Sequence, residues 1–116
     1  MPEPVTESRE VPLEALGGNA VAKRKIIVAN GVSLEVLVFR NQSGDICAYQ
    51  NICPHLGAPL DAGTGKFFDK SGEFLMCKFH QAMFEPSSGL CTFGPCEGHS
   101  LKAVPTRIED GVVLIG

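Results

Sequence analysis

No stretch of this 116-residue chain approaches the ~20 consecutive apolar residues that a membrane-crossing helix needs, which excludes a spanning helix. Its basic residues form no stripe. Lys23-Arg24-Lys25 is the longest basic run and reads as the solvated entry to a strand, so nucleic-acid binding is excluded. No Gly-x-Gly-x-x-Gly opens a helix; Gly63-Thr64-Gly65 is a loop sequence, which removes flavin and nicotinamide binding. No segment repeats its apolar residues with helical period, so no helix is expected. The segment from Met1 to Glu10 has neither a basic n-region nor an apolar h-region, and the expected location is the cytoplasm. Tryptophan is absent and tyrosine occurs once. Cysteine is not scarce, but its count of five is odd, unlike the even, dense set of a secreted disulfide scaffold.

What is present fits one compact domain with 44% hydrophobic residues. Thirteen glycines and eight prolines imply many turns. Of the net charge of −3, all resides before residue 20, in Glu3, Glu7, Arg9, Glu10 and Glu14, so the rest of the chain is neutral. Residues 1–20 read as a lead-in, with 11–16 as a short edge segment, and 21–116 as a single domain. Ile26-Ile27-Val28 and 34–40 are rich in β-branched and aromatic residues, with the hairpin signal Asn30-Gly31 between them. Ser43-Gly44-Asp45 turns the chain into Ile46-Cys47-Ala48-Tyr49, where Cys47 is expected as a buried small hydrophobe. From about 51 to 98, seven glycines break the chain into loops, with short strands expected at 73–76 and 82–84. Strands at 104–108 and 112–115, turning at Asp110-Gly111, are expected to complete the first sheet.

Two pairs inside that glycine-broken stretch carry chemistry. Cys53-Pro54-His55 is Cys-x-His and Cys77-Lys78-Phe79-His80 is Cys-x-x-His. Two thiolates and two imidazoles on two compact loops make a four-ligand metal site. Zinc accepts that donor set tetrahedrally. The usual zinc spacing, however, puts cysteine with cysteine and histidine with histidine. Here each pair mixes the types, and the first spacing is a single residue, which suits a two-iron cluster reached by both loops. Zinc remains the alternative.

The residues around the pairs extend the likeness. Asn51 to Leu60, Cys77 to Phe84 with Gly89, and Gly94-Pro95 resemble the three cluster loops of the Rieske [2Fe–2S] family, and Leu101 to Ile115 resembles its closing hairpin. The resemblance runs from about Lys23 to the end. It implies an all-β Rieske fold: antiparallel sheets with a smaller cluster-binding subdomain at about 51–98. It also implies one [2Fe–2S] cluster per chain, with Cys53 and Cys77 on one iron and His55 and His80 on the other. Imidazoles in place of two thiolates make such a site less negative, which raises its reduction potential above that of four-cysteine ferredoxins.

High-potential members of the family join two extra loop cysteines as a disulfide. Ala58 and Phe79 stand at the corresponding positions. Those members also carry a serine and a tyrosine that donate to cluster sulfurs, where this chain has Ala82 and Phe84. The chain therefore resembles the low-potential ferredoxin branch. Gln81 replaces the glycine usual after the second histidine; if that position has positive φ, it costs ~1 kcal/mol. Cys91 and Cys96 read as two free thiols, a disulfide being the alternative.

The expected function is one-electron transfer from a reductase to a terminal oxygenase or similar redox enzyme. Catalysis is not expected: an oxygenase iron needs two histidines and a carboxylate, and His99 is the one histidine outside the pairs. The alternatives are a small Rieske subunit of a larger reductase, as in nitrite reductase assemblies, and a zinc-stabilised interaction module.

Overall fold

The structure is a computed structural model and describes residues 9–17, 20–27, 31, 33–54, 57–78 and 81–116. Among these, the chain runs through β1 (Glu10–Pro12), one 3₁₀ turn (Leu13–Ala15), β2 (Val21–Ile27), β3 (Ser33–Arg40), β4 (Ile46–Gln50), β5 (Leu75–Met76), β6 (Met83–Phe84), β7 (Cys91–Phe93), β8 (Thr106–Glu109) and β9 (Val112–Ile115). They form three antiparallel sheets of three strands, ordered β2-β3-β4, β1-β9-β8 and β5-β6-β7. The expected all-β class holds. Among the described residues no helix is long and apolar enough to cross a membrane.

The middle strand β3 decides the layout. Val36, Leu37, Val38 and Phe39 are all buried, so β3 is covered on both faces. Successive side chains of a strand point to opposite faces. Leu37 and Phe39, with Tyr49, enter one core alongside Leu60, Phe67, Leu75 and Phe84. Val36 and Val38, with Ala48, enter a second core alongside Val11, Leu16, Val113 and Ile115. The β2-β3-β4 sheet is thus the wall between a base, closed by β1-β9-β8, and the unit that carries the cysteine loops.

Strands 104–108 and 112–115 do not complete the first sheet as expected. Chain pairing with β4 is brief: Gln50 N–H donates to Lys102 C=O, Val104 N–H donates to Ala48 C=O, and Tyr49 bridges Ala103. Pro105 follows, has no N–H to give, and ends the pairing. The chain then pairs β8 with β9 and β9 with β1 instead. Asp110 and Gly111 both have positive φ, +51° and +75°, the geometry of a tight type I′ hairpin turn. The hairpin between β2 and β3 is present; of its expected turn Gly31 has a φ of +80°, while Val28 and Asn30 lie outside the described residues. β7 was not expected from the sequence; it adds to β6 in an irregular register.

Gly89 is held by two independent demands. Its φ is +77°, and a Cβ placed on it would lie 2.8 Å from Tyr49 Cε1. The ring cannot retreat freely, because Tyr49 OH donates to Pro86 C=O at 2.7 Å. Gly89→Ala is expected to destabilise the protein by about 2 kcal/mol through left-handed strain and overpacking. Urea denaturation checks this; a cost near zero would show that the Tyr49 ring moves aside.

Candidate metal centre

Cys53 lies three residues beyond β4 and Cys77 directly after β5. Both are buried, at 1% and 0% exposure, and both belong to the core on the cysteine-loop side of the wall. Each opens a loop closed in the same way. Cys53 N–H donates to Ala58 C=O at 2.8 Å and Gly57 N–H donates to Cys53 C=O at 2.7 Å. Cys77 N–H donates to Ala82 C=O at 2.9 Å and Gln81 N–H donates to Cys77 C=O at 2.8 Å. The fourth residue after each cysteine takes positive φ: +72° at Gly57 and +58° at Gln81. The two loops therefore share their closing hydrogen bonds and a left-handed fourth residue, although their histidines stand at different sequence positions.

That resolves the Gln81 question. The position is left-handed, and glutamine bears a cost of ~1 kcal/mol that glycine would not. The segment 85–90 repeats the pattern without a cysteine: Glu85 N–H donates to Leu90 C=O and Gly89 N–H donates to Glu85 C=O.

His55 and His80 lie outside the described residues, as do Leu56 and Phe79. Among the described residues no three His, Cys, Asp or Glu side chains gather at metal-binding spacing. The two described members of the donor set fit a cluster: both thiols are withdrawn from water and neither is in a disulfide. Ala58 is partly buried and Ala82 and Phe84 are buried beside them, none with a side-chain donor.

The loops are tied together by a polar network that the sequence did not reveal. Asn51 Oδ1 accepts from Leu60 N–H at 2.9 Å, and Leu60 C=O accepts from Lys78 N–H at 2.8 Å, so one residue links both cysteine loops. Asn51 Nδ2 donates to Glu35 Oε1 on β3 at 2.7 Å and to Asp61 Oδ1 at 3.3 Å. Asp61 Oδ2 takes Lys23 Nζ and Gly65 N–H, each at 2.9 Å. Burial alone would raise the Asp61 pKa. Lys23, the Gly65 and Gly63 amides and Asn51 outweigh it and hold the carboxyl at about 2. Lys23 is therefore not simply the solvated strand entry expected; it sits within β2 and crosses to the cysteine-loop unit. Spacing alone carries no trace of this, since Lys23 and Asp61 are 38 residues apart.

The remaining cysteines divide. Cys47 is half-buried, not buried as expected, and Asn41 Nδ2 donates to its Sγ at 3.7 Å. Cys91 and Cys96 are buried together, with their sulfurs 3.0 Å apart. Burial, and then the hydrogen bond and charge of Cys91, push the Cys96 thiol well up. Between them Gly94, at φ +104°, packs so closely on the second loop that a Cβ there would meet Ala82 Cα at 2.8 Å. His99 is exposed.

The sequence model of one family, the Rieske [2Fe-2S] domain, matches residues 3–106. The oxidoreductase NdmD of Pseudomonas putida is 34% identical over 73 residues, which make up 63% of this chain and 12% of that protein. The ferredoxin of Sphingomonas yanoikuyae B1 has a similar structure, with a TM-score of 0.67 at 24% identity over 90% of this chain and 91% of its own. The ferredoxin of carbazole 1,9a-dioxygenase from Nocardioides aromaticivorans IC177 gives 0.68 at 24% identity, over 97% of this chain and 98% of its own. The chain spans between 12% and 21% of the length of the curated relatives it matches.

Proposed function

The chain belongs to the Rieske [2Fe–2S] domain family, and on that premise we propose that it is a one-electron carrier, passing electrons from a reductase to an oxygenase or similar redox enzyme. The observation that carries this reading is the pair of buried cysteines on two loops with the same hydrogen bonding. Cys53 and Cys77 would hold one iron, and His55 and His80 the other. A bound [2Fe–2S] cluster supplies the capacity to take up and release one electron. The chain's own part is to exclude water from the thiolates, fix the loops through Asn51 and Leu60, and present a partner surface. Gly57, Pro59, Gln81 and Pro95 are exposed around the loops and uncharged, and Ile52 and Phe93 add exposed apolar area at 42% and 64%. Transient redox partners need only a small interface, which such a rim suits. Leu56, the other expected member of the rim, lies outside the described residues.

Two structural neighbours are themselves ferredoxins of nearly this chain's full length, which supports a carrier over a catalyst. The curated relatives are longer than this chain, which supports a second reading, a Rieske unit working inside a larger redox assembly. Size-exclusion chromatography of the native protein from its source separates the two.

The test is the visible spectrum of the purified protein and the EPR spectrum after dithionite reduction. A red-brown protein with a mixed-ligand [2Fe–2S] signal is expected. A colourless protein with stoichiometric zinc would mean that the interaction-module reading is right. The midpoint potential is expected at the low end of the family's range, about −150 mV, because Ala82 and Phe84 donate nothing to a cluster. Ala82→Ser with Phe84→Tyr should raise it, since each added donor favours the more negative, reduced state. Protein-film voltammetry reads both, and a wild-type midpoint above about +100 mV contradicts the missing-donor argument.

A further inference from the structure

Two thiols outside the proposed ligand set share its core. Cys91 lies on β7 and Cys96 five residues on, beyond the Gly94-Pro95 turn. The segment between them is closed at its base: Cys91 N–H donates to His99 C=O and Gly98 N–H donates to Cys91 C=O. This fold-back turns Cys96 inward, where its S–H donates to Cys91 Sγ at 3.0 Å and Cys91 S–H donates to Phe93 C=O at 3.3 Å. Exposure is 1% at Cys91 and 2% at Cys96. The segment matters because of what it presses on. Gly94 lies against Ala82, whose carbonyl accepts the Cys77 N–H.

We propose that Cys91 and Cys96 are an oxidisable dithiol, closed to a disulfide by hydrogen peroxide, which locks the third loop against the Cys77 loop. Two sulfurs already in contact need only small side-chain rotations to bond, and the backbone is held in place by its own hydrogen bonds. Burial selects the oxidant. A peroxide is small enough to reach the pair, whereas a bulky disulfide reagent is not. Cys91, whose sulfur accepts the Cys96 S–H, attacks one peroxide oxygen; the O–O bond breaks, water leaves, and a sulfenic acid remains on Cys91. Cys96 sulfur then displaces that oxygen as a second water. Two thiols lose two electrons and two protons, and one peroxide gains them. The product closes a short ring across the Gly94-Pro95 turn and removes the opening motion by which the third loop would lift from Ala82.

The test is a peroxide titration of the intact, cluster-loaded protein, followed by denaturation, alkylation and mass spectrometry. The peptide holding both cysteines is expected two hydrogens lighter and closed to alkylation, and dithiothreitol restores it. This mass change is read whether or not the protein is coloured, so it stands apart from the carrier reading. In the oxidised protein, bleaching of the visible spectrum in EDTA is expected to slow about tenfold, the scale of a short disulfide ring. Cys91→Ala and Cys96→Ala should lose the protection while Cys47→Ser keeps it. The wild type carries the test even if a variant fails to fold. Bleaching while both thiols still take the alkylating reagent would overturn the proposal. So would a disulfide that leaves the bleaching rate unchanged.

Discussion

Replacing Cys77 with alanine is expected to abolish the visible absorption of the protein, whereas Cys47→Ala leaves it intact. The two residues are chemically alike and both lie near strand ends, so the contrast isolates position. Cys77 is fully buried at the mouth of a loop whose hydrogen bonds run through the backbone, from its own N–H to Ala82 and to its own C=O from Gln81. Alanine preserves all of these and removes the sulfur alone. A proposed four-ligand site then has three ligands, and one of the two thiolate charges that balance the irons is gone. Cys47 is half-buried on β4, pairs across to Phe39, and receives a long hydrogen bond from Asn41. Because binding of a metal centre is also folding energy, the Cys77→Ala protein should unfold at lower urea than Cys47→Ala does. Iron and sulfide analysis, with absorption spectra, reads the outcome. A coloured Cys77→Ala protein with a full complement of iron would remove Cys77 from the ligand set.

The cysteine loops were legible because short-range chemistry writes itself into spacing. Cys-x-His and Cys-x-x-His, a left-handed glycine four residues after Cys53, and Asp110-Gly111 at a hairpin turn all act within one loop. What escaped acts across the fold. The sequence shows 104–108 and 112–115 as strands, but not that beyond Pro105 they pair with each other, and the second with β1, instead of extending the β4 pairing. It shows β3 as apolar, but not that alternate residues serve two cores. Gln81 was visible as a departure, yet only its φ of +58° shows that the position is left-handed and bears the strain. Lys23 looked like a surface charge because its partner is remote in sequence. A charged residue in a strand pattern signals a buried ion pair only when the opposing carboxylate can be located.

That carboxylate gives the second large effect. Asp61→Asn is expected to cost about 2 kcal/mol at pH 7, because it leaves the partly exposed Lys23 ammonium facing a neutral amide. Asparagine nearly matches aspartate in shape, so packing around Leu60 is retained and the loss is electrostatic. The pH dependence follows from the same charge. The Asp61 carboxyl titrates at about 2 in the folded protein, against 3.8 for an unperturbed group. A depressed folded pKa contributes stability that is present above the unfolded value. It is lost as the pH falls from 3.8 toward 2, and that difference is worth about 2 kcal/mol. Protonated Asp61 resembles asparagine, so wild type and variant should differ fully at neutral pH and converge in strong acid. The damage should also reach the cysteine loops. Asn51 donates to Asp61 with the same amide whose oxygen holds Leu60 N–H, and Leu60 C=O holds Lys78 N–H beside Cys77. Loosening Asn51 therefore loosens both loops, and the variant should release its iron to EDTA several-fold faster at pH 7. Urea denaturation followed by circular dichroism at a series of pH values, with iron release measured in parallel, tests both. A stability gap that stays constant down to pH 2 would mean that Asp61 acts through shape, not through its charge.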